Sequence, residues 1–188
     1  ESYYIGLLLL MEMDNIIKGC LRGDRICQKA LYDLLSGKMM AVCMRYSKHR
    51  MEAEDLLQDG FIKVFLNLDQ YKFEGPFEQW VRRIMINNAI KKYHKKSNQF
   101  ENTGLDSMVE QGDTTNAVND LEYGELVTMV NSLPDGYRLV FNLYAIEGYN
   151  HGEISTLLNI EESTSRSQLV KARKSLQEKL LKSQKTKV

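Results

Sequence analysis

The spacing of apolar residues predicts helices in the first half of the chain. The clearest predicted helix runs from Ala53 to Leu68. Its apolar positions follow the i, i+4, i+7, i+8, i+11 pattern and are Leu57, Phe61, Val64, Phe65 and Leu68. Because an α-helix has about 3.6 residues per turn, this pattern gives a helix with one buried face.

Three further helices are predicted in this half. They run from about Asp14 to Gly23, from Ile26 to Tyr46, and from Pro76 to about Lys96. Proline suits the first position of a helix, because its missing N–H needs no partner there. The inward positions predicted for the last of these helices are Phe77, Trp80, Val81, Ile84 and Asn88. Four helices with short connections predict a compact bundle.

The second half of the chain predicts another helical unit. A helix near Leu121–Asn131 is followed by one that begins at Pro134 and ends at Gly148. The whole chain is therefore predicted to be all-α, with two small helical domains.

The last two predicted helices form a helix-turn-helix. Asn150 and Glu153 provide a capping-box pair at the start of a short helix. A turn at residues 159–162 leads into a longer helix that begins at Ser163. The apolar positions of this longer helix are Leu169, Ala172, Leu176 and Leu180. A short helix, a tight turn and a longer basic helix are typical of this DNA-binding motif.

Charge is strongly segregated along the chain, although the 25 basic and 25 acidic residues balance. Residues 101–125 contain seven acidic residues and no Lys or Arg, which predicts a flexible acidic linker beginning near Ser97. Residues 82–96 contain six Lys or Arg and no acid, and residues 163–188 contain eight against one acid. Two basic segments are thus separated by an acidic one.

The remaining composition favours a reducing compartment and gives no sign of an enzyme. Cys20, Cys27 and Cys43 are odd in number and lack C-x-x-C spacing, so we expect core residues rather than disulfides or a zinc site. The acidic residues of the third helix lack the Glu-x-x-His partners of a di-iron site. We expect no metal, no cofactor and no catalytic residue. The apolar run near the start is too short for a membrane span and lacks a signal-peptide leader; residues 1–10 are expected to be an extension.

The polar side of the last helix is a candidate DNA-reading surface. Its residues avoid the apolar positions and are Ser163, Thr164, Arg166, Ser167, Lys171 and Lys174. A helix of this kind fits the major groove, where its first residues reach base edges and its lysines meet phosphates. The alternative is an ordinary solvated basic face.

The fourth helix and the loop before it are a second candidate surface. Arg83, Asn87, Lys91 and Lys95 recur every four residues along one side of the helix. The loop contributes two aromatic residues beside a cation: Tyr71, Lys72 and Phe73. Aromatic rings and cations together suit single-stranded nucleic acid, and a pocket for an unpaired base would favour strand separation. Alternatively, the two rings only close the bundle, as Trp80 is expected to do.

Three motifs give the chain a resemblance to a known family. They are AEDLLQDGFIKVF (residues 53–65), FEQWVRRIMINNAIKKYHKK (residues 77–96), and the long segment from residue 133 to residue 173 with its EGY, EI-x-x-x-L and T-x-x-S-x-L-x-x-A-R elements. Together they resemble bacterial RNA polymerase sigma factors of the sigma-70 family, in the small extracytoplasmic-function (ECF) group.

The resemblance implies a division of the chain and a set of roles. It implies an extension with the first helix at 1–19, region two at 20–97, the acidic linker at 98–118 and region four at 119–188. The implied contacts with core polymerase are Asp55, Gln58, Asp59 and Ile62. The implied contacts with the −10 element and its melted strand are Tyr71, Lys72, Phe73, Arg83, Asn87, Lys91 and Lys95. The six polar residues of the last helix would read the −35 element.

The implied partners are core RNA polymerase, promoter DNA and an anti-sigma factor, with no membrane insertion and a bacterial cytoplasmic location. The chain departs from the family pattern at Lys91, where Asp is usual, and at His94, Ser163 and Gln168. The alternative function is a self-sufficient helix-turn-helix regulator, which would bind duplex DNA without polymerase, usually as a dimer.

Overall fold

The computed structural model describes the backbone of residues 2–103 and 121–186, and the side chains of residues 12–96 and 124–183. All the regular structure in these ranges is helical, which confirms the predicted all-α class. The first four helices are α1 (Ser2–Leu21), α2 (Arg25–Tyr46), α3 (Arg50–Leu66) and α4 (Phe77–Thr103), with a short 3₁₀ turn at Leu68–Gln70 after α3. The others are α5 (Leu121–Asn131), α6 (Asp135–Phe141), α7 (His151–Leu158) and α8 (Glu162–Thr186).

Two predicted helix boundaries differ most from the structure. α1 begins at Ser2 rather than near Asp14, and α4 continues to Thr103 rather than ending near Lys96. No Pro or Gly occurs between Phe77 and Thr103, so the chain carries no signal that would stop the helix at its basic end. The first residues of the predicted linker are therefore helical. The rest of that linker, up to residue 118, lies outside the described residues.

Helices α1 to α4 form an N-terminal lobe (residues 2–103) around a dense core. Its fully buried side chains include Ile17, Leu31 and Met85. α3 and α4 approach closely at Gly60, where an added Cβ would lie only 2.1 Å from Sδ of Met85. A larger residue at position 60 would therefore require the Met85 side chain to move.

Helices α5 to α8 form a C-terminal lobe (residues 121–186) that contains the predicted helix-turn-helix. Asn150 accepts a bond from the Glu153 backbone N–H at 2.9 Å, and Glu153 accepts one from the Asn150 N–H at 2.8 Å, which confirms the capping box. Asn159 ends α7 with φ +50°, a left-handed conformation that Asn tolerates better than most residues. α8 then starts three residues later.

The segment from α6 to α7 differs in detail from the prediction. α6 is continued by a π-helical turn, Asn142–Ile146, and Gly148 ends the segment with φ +79°.

On α8, Leu169 and Ala172 are buried as predicted, whereas Leu180 is exposed. Leu180 lies in the last turns of α8, beyond the packing of the helix-turn-helix.

The two lobes share one continuous hydrophobic core. Leu139, Leu143 and Leu158 of the C-terminal lobe belong to the same buried cluster as Val42 and Ile90 of the N-terminal lobe. Among the described helices, none combines the length and the apolar character that a membrane crossing requires.

Candidate nucleic-acid interface

α8 presents its polar residues to solvent. Ser163, Arg166, Ser167, Lys171 and Lys174 are exposed, while Thr164 is half-buried at the helix start. Neither lysine forms an ion pair within the described residues. Within the part of the chain that the structure describes, Arg166 forms an ion pair with the carboxylate of Glu162, one turn away. This face of α8 is therefore available to an anionic partner.

The position of α8 is fixed by contacts that no local pattern in the sequence indicates. Nδ1 of His151 lies 2.9 Å from Oγ of Ser165, which is fully buried in the first turn of α8. The His151 ring stacks on the Tyr144 ring at 4.7 Å between centroids, and the guanidinium of Arg173 lies 5.5 Å from the centroid of the Tyr144 ring. These contacts join α8 to the helices before it, so its exposed face has a defined direction.

α4 carries a row of exposed polar residues along one side. Arg83, Asn87, Lys91 and Lys95 are all exposed, and the three cations form no ion pair in the part of the chain that the structure describes. The first three residues of the row border a pocket of about 340 Å³ between α4 and the end of α3. Trp80 also lines this pocket. Cations, amide groups and an aromatic ring thus surround one opening.

The loop before α4 has two aromatic residues, of which Tyr71 is buried and Phe73 is exposed. Tyr71 is buried, its hydroxyl donates to the Gly75 carbonyl at 2.8 Å, and its ring packs against Phe77 and Trp80 at 4.9 and 5.6 Å between centroids. These contacts make Tyr71 part of the bundle wall, as the alternative interpretation of this loop predicts. The contact of Tyr71 with the −10 strand stays a prediction.

Phe73 is the exposed member of the pair. Its side chain is 44% exposed, and its φ of +58° lies in the left-handed region, which is uncommon for a bulky residue. Its ring lies 4.9 Å from Tyr71. Strained residues of this kind persist only where the surroundings hold them, and they concentrate at functional sites. The exposed Lys72 lies beside it.

The outer face of α3 is acidic and unengaged. Asp55, Gln58, Asp59 and Ile62 are exposed, and neither aspartate forms an ion pair within the described residues. The other acids of this helix have local roles: Glu52 accepts from the Lys48 backbone N–H, and Glu54 pairs with Arg50 at 2.8 Å. The helix therefore keeps two carboxylates and one apolar side chain free for a basic partner.

Arg82 begins the basic run of α4 but points away from the exposed row. Its Nε and Nη2 donate to the two carboxylate oxygens of Glu147, each at 2.8 Å. This hydrogen bond raises the pKa of Arg82, against the opposing effect of burial. The paired residue lies 65 positions further along the chain, in the C-terminal lobe.

In the described residues, an all-helical fold with two exposed basic helices, one of them in a helix-turn-helix, is typical of the class of DNA-binding transcription proteins. The family described as Sigma-70 region 2 matches residues 31–99, and the family described as Sigma-70, region 4 matches residues 123–176. The chain belongs to the sigma-70 family of RNA polymerase sigma factors, in its ECF group.

Known relatives are similar along most of their length. The ECF RNA polymerase sigma factor SigW of Bacillus subtilis is 27% identical over 182 residues, which cover 90% of this chain and 97% of that protein. The RNA polymerase sigma-H factor of Pseudomonas aeruginosa is 26% identical and covers 92% and 96%. The fold is similar to the sigma factor RpoE of Bartonella quintana, solved with the anti-sigma factor NepR: the TM-score is 0.54 at 20% identity, covering 81% of this chain and 95% of that one.

Proposed function

We propose that this protein is a promoter-specificity subunit that binds core RNA polymerase, directs it to promoters with −35 and −10 elements, and promotes DNA melting. The observation that carries this proposal is the pair of exposed basic faces, one on α4 and one on α8, in separate lobes. A sigma factor needs two such faces because it contacts two promoter elements. We assign region two to residues 20–97 and region four to residues 119–188, joined by residues 98–118.

The exposed face of α3 is proposed as the polymerase contact. Asp55 and Asp59 supply negative charge, Gln58 supplies an amide, and Ile62 is 57% exposed on the same helix. Polar groups around an apolar centre are typical of a protein interface. The family resemblance implies a basic coiled coil of the largest polymerase subunit as the partner, and the charge of this face complements it.

The exposed face of α8 is proposed as the −35 contact. Arg166 and Ser167 lie in the first turns, where a recognition helix reaches base edges, and Lys171 and Lys174 lie further along, where phosphates are contacted. Ser163 and Thr164 are placed to meet the DNA backbone at the helix N-terminus.

The pocket beside α4 is proposed as the place where an unpaired −10 base binds. Trp80, Arg83, Asn87 and Lys91 line this pocket. Lys95 extends the basic row along α4, where it would contact a phosphate of the −10 strand. Base stacking on an aromatic ring requires an exposed ring, and Phe73 is exposed at the neighbouring loop. Lys72 would neutralise an adjacent phosphate.

Replacing Phe73 with alanine is expected to slow promoter opening about 5- to 150-fold, because stacking on one aromatic ring contributes about 1–3 kcal/mol per base. Permanganate reactivity of thymines near −10 measures opening directly. Phe73→Tyr keeps a stacking ring and is the matched control, expected to open promoters at close to the wild-type rate. Equal opening by the alanine variant would remove Phe73 from the melted-strand contact.

The proposal also covers partners, location and chemistry. An anti-sigma factor is an expected partner, since the similar Bartonella quintana sigma factor was solved with one. Because its polymerase and promoter lie in the bacterial cytoplasm, we place the protein there. We expect no catalytic activity of its own: its contribution is binding energy that positions polymerase and stabilises melted DNA.

In vitro transcription tests this function. Bacterial core polymerase, the protein and a genomic DNA library are combined, and the transcript start sites are sequenced. Initiation downstream of a shared pair of elements, absent without the protein, is the expected result. Tight binding of duplex DNA by the protein alone, without polymerase-dependent initiation, would favour the self-sufficient regulator instead.

A further inference from the structure

The strongest polar contact between the lobes is centred on Glu147. Its side chain is only 6% exposed, although it belongs to the connection between α6 and α7. Arg82 of the N-terminal lobe donates to both of its oxygens at 2.8 Å, and Nη2 of Arg45 lies 3.9 Å from one of them. A bidentate arginine–carboxylate pair is among the stronger and more directional polar contacts.

Further contacts join the lobes around this pair. Nδ2 of the fully buried Asn142 donates to the Arg45 carbonyl at 2.6 Å. Asp135 lies 3.5 Å from Nζ of Lys48 and 3.6 Å from Nζ of Lys96, both of the N-terminal lobe. These contacts define the relative position of the lobes, and Glu147 is the most buried carboxylate among them.

The chemistry around Glu147 favours a persistent pair rather than a pH switch. Burial and then the Glu147 carboxylate raise the pKa of the neighbouring Tyr46 well above its ordinary value. The same carboxylate, by its hydrogen bond, raises the pKa of Arg82. Tyr46 is therefore neutral and Arg82 is charged throughout the neutral range.

The closed arrangement conflicts with contact to two promoter elements. Elements near −35 and −10 are about 25 base pairs apart, or about 85 Å along straight DNA at about 3.4 Å per base pair. A compact chain of this length has a radius of gyration of about 16 Å and a diameter of roughly 42 Å. The two lobes must therefore separate before both elements can be contacted.

We propose that Glu147, paired with Arg82 and Arg45, is a latch that holds the two lobes of the free protein together and is released when the protein engages polymerase and promoter. The closed state itself follows from the contacts between the lobes, whereas the need for release rests on the proposed function. The partner that opens the latch must compensate for the loss of this buried pair. Core polymerase, which would bind the outer face of α3, is the candidate.

Small-angle X-ray scattering of the free, full-length protein tests the latch without requiring transcription. Arg82→Glu places two carboxylates together, so the radius of gyration is expected to rise from about 16 Å in the wild type to above about 20 Å. Arg82→Lys keeps the charge and is expected to stay compact. Lys29→Glu, which disrupts an exposed pair with Asp33 within α2, is the matched control and is also expected to stay compact.

Glu147→Gln provides the second variant, because it removes the charge with almost no change in shape. Far-UV circular dichroism establishes that each variant keeps its helices. If Arg82→Glu loses helix, the radius of gyration of Glu147→Gln tests the latch instead. A folded but compact Arg82→Glu or Glu147→Gln protein, or an extended wild type, would overturn the latch. Failure of polymerase-dependent transcription would instead overturn the proposed function. The scattering result does not depend on transcription and would remain valid.

Discussion

Replacing both Asp55 and Asp59 with lysine is expected to weaken the binding of core polymerase at least about 30-fold. Close charge pairs across protein interfaces have coupling energies of about 1.5–7 kcal/mol, and a loss of about 2 kcal/mol corresponds to about 30-fold. Here attraction to a basic partner is replaced by repulsion. Both aspartates are exposed and have no ion-pair partner within the described residues, so their replacement breaks no ion pair of the fold there.

The fold should tolerate this double substitution. Exposed substitutions away from caps and buried pairs change the free energy of unfolding by about 0.5 kcal/mol or less. The matched control is Asp33→Lys combined with Glu178→Lys, which changes the net charge equally on exposed positions of α2 and α8. A fluorescence titration with core polymerase, at low and at moderate salt, measures both variants.

The control variant is expected to bind polymerase nearly as well as the wild type. If both double variants lose affinity equally, net charge rather than the face of α3 explains the effect. If neither loses affinity, α3 is not the docking surface. A selective loss in the Asp55 and Asp59 variant, with unchanged thermal unfolding, is the outcome that the proposed interface requires.

The helix-turn-helix could be predicted from sequence because its signals are local. The capping box of Asn150 and Glu153 fixes the start of α7, and the apolar positions Leu169 and Ala172 fix the buried side of α8. Each of these features involves residues within one or two helical turns, where spacing determines which side chains meet. The exposed side of α8 then follows from the buried one.

The end of α4 could not be predicted, because no local signal in the sequence marks it. α4 continues seven residues beyond Lys96 because no Pro or Gly interrupts it. The acidic and polar composition near Ser97 predicts a linker, yet composition alone does not stop a helix that is already formed. Helix propagation adds one hydrogen bond per residue and so carries the helix into a polar segment.

The contacts between the lobes could not be predicted from the sequence, because they depend on tertiary packing. Arg82 and Arg83 are adjacent and look equivalent in the basic run, but Arg83 faces solvent while Arg82 meets Glu147. Likewise Tyr71 and Phe73 lie two residues apart, and only the backbone shows that one is buried and the other exposed. Such choices depend on tertiary packing, which a local pattern does not encode.

Replacing Arg166 with alanine is expected to lower transcription from a −35-dependent promoter about 5- to 150-fold, since one bidentate contact to a base contributes about 1–3 kcal/mol of discrimination. Its intramolecular partner, Glu162, lies in the first turn of the same exposed helix, so the free energy of unfolding should barely change. Sequencing transcripts from a library with a randomised −35 element measures which bases lose their preference.

Lys171→Ala is the informative comparison for this variant, because the two side chains are assigned different tasks. A lysine that contacts phosphate should weaken binding to all sequences alike and reduce the slope of log affinity against log salt by about one. Arg166→Ala should instead relax the preference at one or two positions while retaining most of that slope. Loss of activity on promoters without a −35 element would place Arg166 in polymerase binding or folding. A sequence-selective loss confined to −35-dependent promoters would place it in the major groove, because only a contact with base edges distinguishes one promoter from another.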